Sequence, residues 1–225
     1  MALRTPQNEA GRSSGDQAKA DPERSKRRQI FTAAEPLFVR FGFKKTTIEE
    51  VCRAAKMSKR TFYELFNDKL DLLVQMHSAL AQDLTDEVLA TLPEGASATG
   101  KVRHYLSTYF NVVQAHPLFQ VLLEDAELMR TMTHIAPTNT ELYSVINLLS
   151  SFLQEGVERG EFRQLDPEMA TWIIQTLLDT VHIFLMNPDA VAIQMDVDTL
   201  IHETTEFIIH GLLPYPNESS RGMNI

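Results

Sequence analysis

The chain has 225 residues, 44% of them apolar, with one cysteine and a formal net charge of −9. That length suffices for a buried core in one or two domains, the lone cysteine excludes a disulfide framework, and no run reaches the roughly 18 apolar residues of a membrane span. Charge is uneven: residues 1–70 hold 15 Lys+Arg against 9 Asp+Glu and residues 71–225 hold 6 against 21, so only the first third can meet a polyanion.

Residues 1–20 carry too few large apolar side chains to offset the entropy of ordering, and they contain no apolar run of the signal-peptide kind. A disordered tail and a soluble, cytoplasmic protein are the expectation. Asp21-Pro22 reads as N-cap and first residue of a helix, with Ile30, Ala33, Ala34, Leu37, Phe38 and Phe41 at helical spacing and Gly42 as its stop. Pro36 lies inside that helix and predicts a kink. Arg24, Lys26, Arg27 and Arg28 near its start either reach phosphates or form a solvated face.

Residues 46–69, TTIEEVCRAAKMSKRTFYELFNDK, place two short amphipathic segments around a sharp turn. Thr46 with Glu49, or Thr47 with Glu50, forms a capping box opening a helix that turns Ile48, Val51, Cys52 and Ala55 inward. Ser58 caps the next helix, with Phe62 and Phe66 facing inward and Lys59, Arg60, Thr61 and Tyr63 facing outward. Such a helix fits the major groove, where first-turn side chains reach base edges. Asn67 or Asp68 then caps a long helix carrying Leu72, Leu73, Met76, Leu80, Leu84 and Val88, and Lys69 in its first turn is placed to meet a phosphate.

Together these segments, from Ile30 to Leu73, resemble the N-terminal DNA-binding domain of the TetR/AcrR family of bacterial transcriptional regulators. The likeness rests on the Phe41-Gly42-Phe43 helix end, the Thr-Thr start, the Ser-Lys-Arg-Thr-Phe-Tyr segment and the Asp-Lys opening of the following helix. Two positions depart from the pattern. Lys56 stands where the family usually has Gly, so either a lysine accepts an unfavourable backbone angle or the turn differs, and Leu65 replaces a residue that often holds a phosphate. The resemblance implies an all-α protein of about nine helices, a three-helix DNA-binding domain at 21–70 and a larger ligand-binding and dimerisation domain at 71–225. It also implies double-stranded operator DNA as partner, met through Thr47, Ser58, Lys59, Arg60, Thr61, Tyr63 and Lys69.

Beyond Pro93-Glu94-Gly95, one helix carries Val102, Tyr105, Leu106, Tyr109, Phe110 and Val113, and Pro117 restarts the chain into another with Leu118, Val121, Leu122, Ala126 and Met129. A third carries Leu142 to Val157, opened by a Thr138–Glu141 capping box and ended by Gly160. Two helices follow, opened by Asp166-Pro167 and by Asp196, both with wide apolar stripes. In the family such a final pair meets the same pair of a second subunit as a four-helix bundle. Ile174, Leu178, Val181, Leu200, Thr204, Phe207, Ile208 and Gly211 are the candidate seam of a homodimer, the alternative being that both faces are used within one monomer.

Gln175, Asp179 and His182 form a polar strip on an otherwise apolar helix. They either satisfy one another at the dimer seam or orient a small hydrophobic effector whose apolar walls are Tyr105, Tyr109, Phe110, Phe119, Met129, Met132 and Trp172. Net acidity and Asp179 favour a neutral or cationic ligand over an anionic one. The seven histidines show no metal-ligand spacing, and no nucleophile–base motif or phosphate loop occurs, so no enzyme, cofactor or metal is expected. The function expected is a ligand-responsive repressor binding a palindromic operator as a homodimer. The alternatives are an activator or nucleoid-associated protein without inducer, and a helical binding module that has lost operator recognition.

Overall fold

The structure, a computed structural model, describes residues 22–118, 121, 125–135, 143–186 and 196–215. Among the described residues there are nine helices and no strands: α1 (Pro22–Phe41), α2 (Ile48–Ala54), α3 (Lys59–Leu65), α4 (Lys69–Thr91), α5 (Ala98–Ala115), α6 (Ala126–Ile135), α7 (Ser144–Glu158), α8 (Pro167–Met186) and α9 (Val197–Leu212). None of these helices is long and apolar enough to cross a membrane.

Side-chain caps set most of the helix starts. Thr47, Ser58, Asp68, Ser97 and Asp196 each accept a backbone N–H from the first turn of α2, α3, α4, α5 and α9, supplying a partner the helix itself lacks. For α2 it is Thr47 with Glu50 that makes the reciprocal box, because Thr46 is buried and spends its hydroxyl on Leu37 O and Gly42 O. Gly42 ends α1 at φ 80°, and α1 continues through Pro36, which stays exposed.

Several expectations need correction. The segment after Pro117 is not one helix: the Asp125 carboxylate accepts from Glu127 N and Leu128 N and starts α6 afresh. Phe41 leaves the stripe for solvent, where the Arg40 guanidinium lies 5.0 Å from its ring centroid. Residues 1–20, Asp21, Phe119, and the Thr138–Glu141 pair lie outside the described residues, and α7 begins at Ser144 without a side-chain cap.

Two apolar clusters result. The first joins Ile30, Ala34 and Phe38 of α1 to Val51, Cys52, Phe62, Leu65 and Phe66, and is closed by Leu72, Leu73 and Met76 of α4 and by Leu118, Val121 and Leu128. Its core therefore reaches past residue 70 and recruits the α6 end of the chain. The second is built around α7, which packs on α4, α5 and α8, while α9 covers α5 and α8. Ile174, Leu178, Val181, Thr204 and Ile208, expected at a subunit seam, face into this same chain because those helix faces pair with α5 and α7. The opposite faces stay open: Ile173 is 63% exposed and Phe207 74%, and Met169, Phe184 and Val197 are exposed with them.

Gly156 of α7 lies against the Phe162 ring, and any Cβ there would overlap ring carbons. Gly156→Ala is expected to destabilise the protein by about 2 kcal/mol through overpacking, seen as a lower midpoint in urea with an unchanged slope.

Candidate nucleic-acid interface

The residues expected to read DNA lie together on the outer side of α2 and α3. Ser58 Oγ caps α3 at Thr61 N, 3.0 Å away, and also lies 3.0 Å from Thr61 Oγ1. Phe62 and Leu65 anchor the inner face of α3, with Phe66 buried just beyond its end, so Lys59, Arg60 and Tyr63 project outward; Tyr63 is 56% exposed and Thr61 half-buried. The turn ahead of α3 is tight because Lys56 takes the left-handed angle, φ 52°, which settles the choice in favour of a lysine in a glycine's conformation.

Two of these cations rest on carboxylates. Lys59 pairs with Glu49 of α2, and Arg60 Nε donates to Glu64 at 3.0 Å one turn along. Both pairs are exposed, and pairs of this kind contribute only about 0–1 kcal/mol, so a DNA phosphate or a guanine edge displaces the carboxylate at small cost. Thr47, at the N-terminus of α2, is exposed beside them.

Lys69 has a different part from the phosphate contact expected of it. Its ammonium donates to Phe43 O at 2.6 Å, Thr46 O at 2.7 Å and Lys44 O at 3.3 Å, and it lies 4.5 Å from the Phe43 ring centroid. All three N–H bonds are engaged, and burial lowers its pKa below the ordinary lysine value. The chain reverses over residues 42–46, its carbonyls converge, and a half-buried cation is the donor that satisfies them. The neighbouring Lys44 reaches the other way, to Asp125 at 3.0 Å and Glu127 at 3.1 Å at the start of α6. Arg27, once a phosphate candidate, turns inward to Leu65 O at 2.9 Å and to Gln75, with its guanidinium 5.5 Å from the centre of the Phe66 ring.

In the second cluster α5 and α8 bring part of the expected ligand set together. Tyr105 and Tyr109 are buried and stacked with centroids 6.5 Å apart, and Phe110 meets Tyr109 edge-on. Gln175 Nε2 donates to Asp179 Oδ1 at 2.9 Å. Burial pushes Asp179 up to about 6, against the pull of Gln175, lowers His182 to about 4, and raises both tyrosines. Tyr105 Oη and Gln175 Oε1 are buried without a hydrogen-bond partner among the described residues, each at a cost of about 1–3 kcal/mol. Met132 is buried as well, but Met129's side chain lies outside what is described. Trp172 is not in this knot: it sits on the open side of α8, its ring edge-on to Tyr143 at 6.1 Å. The sequence reading missed the outward Met169, Ile173 and Phe184 because a helix apolar on two sides does not say which side is inside.

Residues 30–76 match the TetR family of bacterial regulatory proteins. The fatty acid metabolism regulator protein of Bacillus subtilis is 24% identical over 194 residues, spanning 84% of this chain and 97% of its own length. Among solved structures, the fatty acid degradation regulator FadR from Bacillus halodurans superposes with a TM-score of 0.68 at 25% identity, covering 85% of this chain and 97% of that one. FadR from Bacillus subtilis, solved in complex with stearoyl-CoA, gives 0.66 at 22% identity, covering 82% and 98%. Residues 30–76 thus carry a segment of the TetR family of bacterial regulatory proteins, and over most of its length the chain has the fold of these regulators.

Lys59→Ala and Arg60→Ala are expected to change sequence preference, at about 1–3 kcal/mol per lost base contact, in competition binding to duplex DNA. Lys69→Met should weaken binding to all sequences while leaving the log–log salt slope unchanged; a slope reduced by about one per subunit would return Lys69 to a phosphate. Asp179 makes a pH prediction. Its folded pKa is raised from 3.8 to about 6, so the neutral acid is favoured on folding. The associated stability is fully present below the unfolded value and is lost as pH rises through about 6. Asp179→Asn should therefore gain up to about 3 kcal/mol over wild type at pH ~8 and nothing at pH ~4, by chemical denaturation at the two pH values.

Proposed function

We propose that the chain is a cytoplasmic repressor that grips a palindromic operator as a homodimer and lets go when a long-chain acyl thioester binds. Residues 21–70 read DNA, through Thr47 and Ser58 to Tyr63, and residues 71–225 hold the effector and the partner subunit. The observation that carries the reading is the open apolar face shared by α8 and α9, from Ile173 to Phe207, on a chain with one recognition helix. One helix covers too few base pairs for specificity. A two-fold pair of chains buries that face and presents two copies of α3 to major grooves one turn, or a multiple of it, apart. The seam then runs through Met169, Ile173, Phe184, Phe207 and Gly211 rather than through the buried Ile174, Leu178, Val181 and Ile208, with half-buried Leu200 at its edge.

The effector class is supported by two relatives concerned with fatty acids, from Bacillus halodurans and Bacillus subtilis, the second crystallised with stearoyl-CoA. An interior with aromatic walls, a carboxyl that gives up its charge easily and two buried polar atoms in want of partners suits a long apolar tail bearing a thioester carbonyl, to which Tyr105 can donate. Two structural ties carry its effect to the DNA-reading unit. One is α4, which runs from the second cluster to the Lys69 contacts; the other is the Asp125 and Glu127 pair on Lys44. To release DNA the effector must prefer the arrangement that spaces the two α3 helices wrongly, and DNA must then weaken effector binding by the same factor.

Selection from a random DNA pool should enrich a near-palindrome, and stearoyl-CoA should release that DNA at micromolar concentration. Phe207→Glu should sediment as a monomer and lose the selected site. A wild-type chain that is monomeric at micromolar concentration yet binds its site tightly would overturn the reading.

A further inference from the structure

Between α1 and α4, where the two clusters adjoin, runs an open groove of about 690 Å³. It belongs to neither the outward face of α3 nor the Tyr105–Asp179 knot. Arg24 and Arg28, one turn apart on the same face of α1, line one end, and among the described residues neither has a carboxylate partner. Arg27 beside them is spent on Glu23, Leu65 O and Gln75. Phe31, Met76 and Leu118 provide apolar surface, and Glu35, about 10 Å along α1 from Arg28, brings a carboxylate to the groove as Asp83 does from α4.

That pattern is chemically selective. Two guanidiniums with no carboxylate partner among the described residues form a seat for phosphate oxygens, which they meet with charge-assisted, fork-shaped hydrogen bonds. An apolar, partly aromatic floor takes a flat base, and carboxylates beyond it accept hydrogen bonds from an exocyclic amine. A free phosphate would use only the first feature, a fatty acid carboxylate likewise, and neither would use the carboxylates. A phosphorylated nucleotide uses all of them. The Asp179 interior, by contrast, disfavours a multiply charged anion, so an acyl thioester of coenzyme A whose tail lies there must place its charged end elsewhere.

We propose that the α1–α4 groove is the seat of the phosphorylated adenosine headgroup of an acyl-coenzyme A effector, with phosphates on Arg24 and Arg28 and the base over Phe31 toward Glu35 and Asp83. The inference rests on the acyl-thioester reading above. It adds a regulatory consequence: one wall belongs to the DNA-reading unit and the other to the helix that leaves it, and a hydrogen bond from Arg27 to Gln75 joins them. A headgroup bridging the walls fixes their angle, so the head would set the DNA-incompetent spacing while the tail supplies apolar affinity.

Calorimetric titration of the full chain with stearoyl-CoA, coenzyme A, adenosine 3′,5′-bisphosphate and stearate tests it, on wild type and on Arg24→Ala/Arg28→Ala. Both side chains are exposed, so the double variant should keep the wild-type melting curve. Expected is a loss of at least tenfold in stearoyl-CoA affinity, loss of the weak coenzyme A and bisphosphate binding, a flatter salt dependence for stearoyl-CoA, and unchanged stearate affinity. Arg24→Lys/Arg28→Lys should recover part of the stearoyl-CoA loss. If the double variant binds stearoyl-CoA as wild type does, the headgroup sits elsewhere and the effector reading survives. If wild type binds no stearoyl-CoA at all, the effector reading fails and this site with it.

Discussion

A single half-buried ammonium holds the DNA-reading unit in register with the rest of the molecule. Lys69 begins α4, the helix that runs out of the first cluster into the second, and its three N–H bonds end on carbonyls of the turn between α1 and α2. Without that donor, converging carbonyls would face a partly dry interior at a cost of about 1–3 kcal/mol each. With it, the turn, the capping box at Thr47 and therefore the start of α2 are fixed to α4. Since α2 and α3 share the Phe62–Cys52 core, the outward face of Lys59, Arg60 and Tyr63 inherits its orientation from the same contact.

Lys44 extends the arrangement. Adjacent to a carbonyl that Lys69 holds, it is drawn to Asp125, which also caps α6, and to Glu127. The turn is thus gripped from α4 by a half-buried cation and from α6 by exposed ion pairs. The first is a firm joint and the second a weak one that salt screens. A small-molecule signal in the larger cluster, as proposed, would have one rigid route and one compliant route to the recognition helix. The groove between α1 and α4 lies over the rigid one.

Much of this was legible in the sequence because short-range chemistry decided it. Caps at Thr47, Ser58, Asp68 and Asp196 sit where Ser, Thr or Asp precede a periodic run, and Phe62 and Phe66 four apart could face only one way. Long-range choices were not legible. Lys69 in a first helical turn looks like a phosphate ligand until the fold brings residues 43–46 beside it, and Asp125 looks like one more surface acid until it caps α6. The wide apolar stripes of α8 and α9 were visible, but periodicity does not rank two apolar faces. Burial of Ile174 and Leu178 leaves Ile173 outward, so residues expected at a seam lie inside this chain. For the same reason Trp172 fell among the interior aromatics on paper and at the surface in the fold.

The claim on which the account turns is that Lys69 makes the reading unit and α4 move as one body. Pulsed electron–electron spin resonance on the proposed dimer, with labels at Ala54→Cys on exposed α2, measures it directly, comparing wild type with Lys69→Met. The account predicts one narrow distance distribution for wild type with operator, a second narrow one at a different mean with stearoyl-CoA, and broad distributions under both conditions for Lys69→Met. A Lys69→Met distribution as narrow as wild type, shifting by the same amount, would contradict it.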